Sequence, residues 1–190
     1  MKIKLLVLVG FLYVTCAMLT SNLDKQINKY YKTITHPSVF DIGYYYLPNL
    51  SKYEIIGNFI LLLFLIIVLI LPKLWDDFLG YIITIVFIRL FFIHMTVLPK
   101  HRNCKLVKQN YFFGGCYDKI FSGHFAILSL VTLLLLKYKY LSLPWVIAIN
   151  ILYICLLLLF RWHYTIDMVV AFMVTLFVVQ NDINIIHLLK

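Results

Sequence analysis

The chain has 190 residues, of which 63% are hydrophobic and 13% charged, and its formal net charge is +9. Its mean hydropathy of +0.93 excludes an ordinary soluble globular domain and a disordered chain. The basic balance suits anionic lipid or phosphate; no basic stripe is laid out for a nucleic-acid groove, so no nucleic acid is expected as a partner.

We therefore read residues 1–190 as a single all-α membrane domain. In chain order, six apolar segments are candidate crossings: Ile3 to Leu19, Ile55 to Leu71, Phe78 to Leu98, His124 to Leu136, Leu143 to Phe160 and Ile166 to Val179. The fourth and sixth must borrow flanking residues to reach the roughly 20 that a hydrocarbon core requires. Lipid offers no partners to backbone amides, so each segment is expected to be a helix. Pro72, Pro99 and Pro144 stand beside segment ends, where a proline costs least. Residues 1–20 have two readings. Lys2 and Lys4 ahead of an apolar stretch make a first transmembrane helix or signal anchor, whereas Thr15-Cys16-Ala17 would suit a cleaved signal peptide.

Six crossings would place the loops 20–54, 99–122 and 161–164 on one face of the membrane, and the polar residues that can do chemistry all fall there. His163 and Asp167 are four apart, so a helix puts them on one side, where the carboxylate accepts from one imidazole nitrogen and frees the other as nucleophile or base. The same pair would also serve simply to satisfy a helix end. Ser122-Gly123-His124 opens the fourth helix. Ser122 can cap it or bond a phosphate oxygen, and Gly123 lets a bulky group approach the backbone. Asp118 most simply caps the same helix. Arg89, inside the third segment, costs roughly 2.5 to 3.5 kcal/mol at the bilayer centre unless it snorkels or meets an anion, so a phosphate pocket is expected beside it. His94 is expected to be a satisfied interior histidine. Arg161 suits either a phosphate or an interfacial anchor, and the aromatics at 44–46, 111–113 and 117 suit an interfacial belt or, for some of them, cation–π contact with a choline ammonium.

Taken together, "GGCYDKIFSGHFA" (114–126) and "RWHYTIDMVVAF" (161–172) resemble the signature of the sphingomyelin synthases and their relatives, the membrane branch of the type 2 phosphatidic acid phosphatase superfamily. "PSVFDIGYYYLP" (37–48) is similar to that family's proline-rich motif. Arg89-x6-Thr96 with Leu98-Pro99 is similar to its third-helix motif, so the likeness runs over residues 37–180. Tyr117 and Phe125 depart from the family pattern, which usually has Gly and Thr at these places.

The resemblance implies a helical bundle of the type 2 phosphatidic acid phosphatase kind with six transmembrane helices. It also implies a catalytic set of His124, His163 and Asp167, with Arg89, Asp118, Ser122, Gly123 and Tyr164 around the substrate. The implied reaction transfers phosphocholine or phosphoethanolamine from a glycerophospholipid to ceramide through a phosphohistidine, releasing diacylglycerol. The rival readings are a lipid phosphate phosphatase using water as acceptor and a non-catalytic multi-pass protein.

No cofactor or metal is expected, because no Cys-His spacing suits zinc. Cys16 and Cys155 read as packing residues, and Cys104 and Cys116 can pair if their face is luminal or extracellular. The resemblance implies such a face, in the Golgi, endoplasmic reticulum or plasma membrane. The count of basic residues outside the segments, ten on the catalytic face and six on the other, leans the opposite way.

Overall fold

A computed structural model describes residues 39–96, 98, 99 and 120–184, together with isolated positions between 7 and 29. Among the described residues all regular structure is helical: α1 (Ile42–Tyr46), α2 (Ile55–Ile70), α3 (Trp75–Met95), α4 (Gly123–Lys137), α5 (Leu143–Leu159) and α6 (Thr165–Gln180). The isolated described positions from 7 to 19 are also helical, but most of the first expected crossing lies outside the described residues. So do Cys16, Cys104, Cys116 and Asp118.

The helix ends follow local chemistry. Pro72 opens a 3-10 turn between α2 and α3, and Asp76 and Asp77 occupy the first turn of α3, where the helix dipole favours acids. Ser122 caps α4 by accepting from the Phe125 amide, and Pro144 sits in the first turn of α5. The caps of α4, α5 and α6 are followed by residues in the left-handed region, Lys139 (φ 62°), Arg161 (φ 60°) and Asp182 (φ 52°).

The stretches Ser51–Ile70 and Pro72–Met95 are long and apolar enough to cross a membrane. The helices α4, α5 and α6 have 15, 17 and 16 residues, so their helical parts are about 22 to 26 Å long at about 1.5 Å per residue. Two of the six expected crossings thus meet the length requirement outright.

The α4 helix is the axis of the bundle. It packs against α2, α3, α5 and α6, and nearly every residue from Phe125 to Leu135 is buried, as befits a helix apolar all round. Within that stretch the polar residues Ser129 and Thr132 meet Asn150 of α5. Ser129 Oγ donates to Asn150 Oδ1 at 2.6 Å, Asn150 Nδ2 donates to Thr132 Oγ1 at 2.8 Å, and the same nitrogen reaches the Val146 carbonyl at 2.8 Å. By contrast α2 and α5 turn large apolar side chains outward, among them Ile55, Phe59, Leu69, Leu143, Ile147 and Leu152. Such a surface is stable against lipid rather than water, and the protein is membrane-associated.

The end of the bundle away from the histidines is held by charge. Lys137 Nζ donates to Asp77 Oδ2 at 2.8 Å and to the Tyr81 hydroxyl at 3.0 Å, Tyr138 donates to the same Asp77 oxygen at 3.2 Å, and Tyr81 donates to Asp182. Burial, and then the Asp77 charge, push the Tyr138 phenol above its ordinary pKa. These contacts tie α3, α4 and the residues after α6 together.

Replacing Asn150 with alanine removes the bonds joining α4 to α5 at mid-bundle. We expect a loss of about 1 kcal/mol of folding stability, measured by reversible unfolding in mixed micelles.

Candidate active site

The opposite end of the bundle collects the polar residues that the sequence singles out. The start of α4 and the start of α6 meet directly, because the Ser122 amide donates to the Asp167 carbonyl at 3.4 Å. Asp167 is fully buried and His163 is 6% exposed, and His163 Nδ1 lies 3.3 Å from Asp167 Oδ2. The same carboxylate oxygen accepts from the Tyr164 amide at 2.8 Å as half of a capping box at the head of α6. With Nδ1–H turned to the carboxylate, the His163 lone pair is on Nε2.

His124, in the first turn of α4, is half-buried. Its Nε2 is 3.1 Å from Asn58 Oδ1 on α2, and its ring lies 4.7 Å from that of Trp162, the neighbour of His163. Trp162 is held in turn by Glu54, whose Oε2 accepts its indole N–H at 3.1 Å. Arg89 comes in from α3. Its Nε donates to the Phe121 carbonyl at 3.3 Å, and a Cβ on Gly123 would lie only 3.4 Å from that nitrogen. Gly123 thus leaves the Arg89 guanidinium lying along its backbone beside His124, in contact range of where a side chain would begin.

Of the sequence-predicted residues, Arg89, Ser122, Gly123, His124, His163, Tyr164 and Asp167 all lie at this end of the bundle, and Asp118 is outside the described residues. Ser122 takes the capping option. The Tyr164 hydroxyl donates to the Pro99 carbonyl at 2.9 Å, which fastens the third-helix motif to α6. His94, expected in the interior, is exposed, and among the described residues its ring meets the Leu90 carbonyl of its own helix at 2.7 Å. The residue before it, Ile93, fills the buried face of α3, and the adjacent helical position points elsewhere.

Arg161 proves to be a strut. Its Nη2 donates to the Leu47 carbonyl at 2.6 Å, and its guanidinium carbon lies 4.4 Å from the centre of the Tyr44 ring. Tyr44 packs on Tyr164 at 5.3 Å. Burial, then Tyr164 and the carboxylates of Asp41 and Asp167, raise the Tyr44 phenol above its ordinary pKa, so it stays neutral and packs as an aromatic wall.

Sequence reasoning did not single out Asn58, Trp162 or Tyr44 as site residues. The amide of Asn58 is a lone polar group in an otherwise apolar run, which is the signal that marks it.

Comparison with known proteins bears on this end of the molecule. Residues 115–182 match the family model described as PAP2 superfamily C-terminal. The match spans both histidines and supports the type 2 phosphatidic acid phosphatase superfamily without singling out its sphingomyelin synthase branch. It is compatible with a lipid phosphatase or a phosphotransferase. No curated protein and no solved structure matches the chain.

Arg161→Ala should release the segment that carries Leu50, whose amide donates to the Leu159 carbonyl at 2.8 Å. We expect hydrogen exchange at that amide to speed up about 10-fold, with the amides of α4 unchanged.

Proposed function

We propose that this chain is a membrane phosphotransferase of the sphingomyelin synthase type, moving phosphocholine or phosphoethanolamine from a glycerophospholipid to ceramide and releasing diacylglycerol. The observation that carries this reading is the buried His163–Asp167 pair joined, through Ser122, to the turn that bears His124, with Arg89 alongside. The likeness of residues 37–180 to the synthase motifs supports the choice of acceptor, and the family match supports the broader class.

In the first step His163 Nε2 attacks phosphorus, the bond from phosphorus to the glyceride oxygen breaks, and His124 gives that oxygen a proton. Asn58 beside His124 Nε2 fixes the orientation of that ring. The headgroup then resides on His163 as a phosphohistidine. In the second step the primary hydroxyl of ceramide attacks phosphorus, its proton goes to His124, and the bond from nitrogen to phosphorus breaks. Arg89 neutralises charge on the non-bridging oxygens, and Asp167 stabilises the cationic imidazole. In this reading the site faces the lumen or the cell exterior.

Hydrolysis by the same residues, with water taking the place of ceramide, is the second reading, because the family match fits it equally well. Membranes containing the protein, given labelled ceramide with phosphatidylcholine or phosphatidylethanolamine, and separately phosphatidate, distinguish the two. We expect labelled phosphosphingolipid with equimolar diacylglycerol, and no product from His163→Ala. Free phosphate from phosphatidate would favour the phosphatase, and the absence of either product would refute both. Asp167→Asn should lower kcat on the order of 10³-fold with the fold intact, because the amide does not hold the required tautomer.

A further inference from the structure

Asp41 stands at the head of α1, yet most of its bonding serves another helix. Its Oδ1 accepts from the Tyr44 amide at 2.9 Å and from the Thr165 hydroxyl at 3.0 Å, and its Oδ2 accepts from the Thr165 amide at 2.6 Å. Thr165 Oγ1 in turn accepts from the Gly43 amide at 3.2 Å. The fit is tight, since a Cβ on Gly43 would lie 2.7 Å from Thr165 Oγ1 and 2.8 Å from the Leu158 methyls. A cap for a five-residue helix requires only the first of these bonds.

The remainder fix the first residue of α6. Thr165 follows Tyr164, whose amide holds the same Asp167 oxygen that faces His163 Nδ1. The turn bearing the imidazole is therefore gripped from inside by Asp167 and from outside by Asp41, whose short bond to the Thr165 amide is charge-assisted. Both Asp41 oxygens accept from these donors.

We propose that Asp41 is a positioning residue for His163, acting through Thr165 to hold the imidazole against Asp167. The proposal rests on the reading of His163 as nucleophile, since that role is what makes its orientation matter. Loss of the outer grip lets the head of α6 rotate, and a displacement of about 1 Å at a reacting atom costs about 10²-fold in rate.

The test uses the full chain in phosphatidylcholine nanodiscs. Nitrogen NMR of labelled histidine reads the His163 tautomer, assigned by its loss in His163→Gln, and transfer to ceramide is followed in parallel. In the wild type His163 should be a single Nδ1–H tautomer. Asp41→Asn places an N–H or a weaker acceptor against the Thr165 amide. It should give mixed tautomers and lower kcat by about 10- to 100-fold, with KM changed less than about twofold. Thr165→Val keeps the amide bond and loses the hydroxyl, so it should have a smaller effect, and the double variant should be no worse than Asp41→Asn alone.

A melting temperature lowered by Asp41→Asn, with tautomer and kcat unchanged, would reduce Asp41 to a structural cap and overturn the proposal. Should Asp41→Asn fail to fold, Thr165→Val decides: an unaltered His163 signal and unaltered kcat overturn it. A wild type that transfers no headgroup, while the His163 signal still responds to Asp41→Asn, removes the transferase reading and leaves the positioning role standing.

Discussion

Asp167 joins two helices with one residue. Its carbonyl receives the Ser122 amide at the head of α4, while its carboxylate receives the Tyr164 amide and faces His163. A carboxylate that is fully buried is expensive unless its oxygens are engaged, so the geometry of this end is strongly coupled. Moving α6 relative to α4 breaks the junction at Ser122, while the cap and the imidazole contact are built within the head of α6 itself. The candidate chemistry depends on that junction, because His163 at the head of α6 and His124 at the start of α4 can act together only if those helix starts cannot slide past each other.

The bundle supports this arrangement from both ends. At mid-height Asn150 fastens α5 to the central helix, and at the far end Lys137 brings Asp77 and Tyr81 together. Between these polar ties α4 is held by apolar packing alone, which lipid neither strengthens nor competes with as water would. Specific polar contacts are therefore what define register along the helix axis. The near end carries the most of them, since α1, α2, α3 and the turn from Leu159 to Thr165 all converge there.

An oriented imidazole, a second imidazole and a guanidinium, the kinds of group that phosphoryl transfer uses, are gathered at this end. Arg89 lies against the bare backbone of Gly123, His124 is held by Asn58 and Trp162, and His163 is oriented by its carboxylate. The outward apolar faces of α2 and α5 suit a substrate that arrives through the bilayer rather than from water. The family match over residues 115–182 covers α4, which bears His124, and the turn and helix that carry His163 and Asp167. The supporting segment that carries Asp41 and Tyr44 lies outside that match, although the motif likeness reaches it.

Much of the helix layout is legible in the sequence, because lipid solvation forces apolar runs into helices and prolines and caps mark their ends. The expected segments Ile55 to Leu71 and Leu143 to Phe160 differ by one residue from α2 and α5. The short fourth and sixth segments are 15- and 16-residue helices, with α4 at the centre. The pairing of His163 with Asp167 is readable from their spacing, although the helix expected to carry both begins only at Thr165 and the capping turn at Tyr164 is what brings the imidazole to the carboxylate. Contacts between distant segments are not readable: Asn58 with His124 spans 66 positions and Asp41 with Thr165 spans 124. What the sequence by itself determined is the membrane class, the helical segments among the described residues and one local His–Asp pair. Only the tertiary structure decided that His94 faces outward, that Arg161 braces Tyr44 and Leu47, and that Asp41 grips α6. Hydropathy and helical period act over a few residues, whereas these roles depend on which surfaces of separate helices are brought face to face.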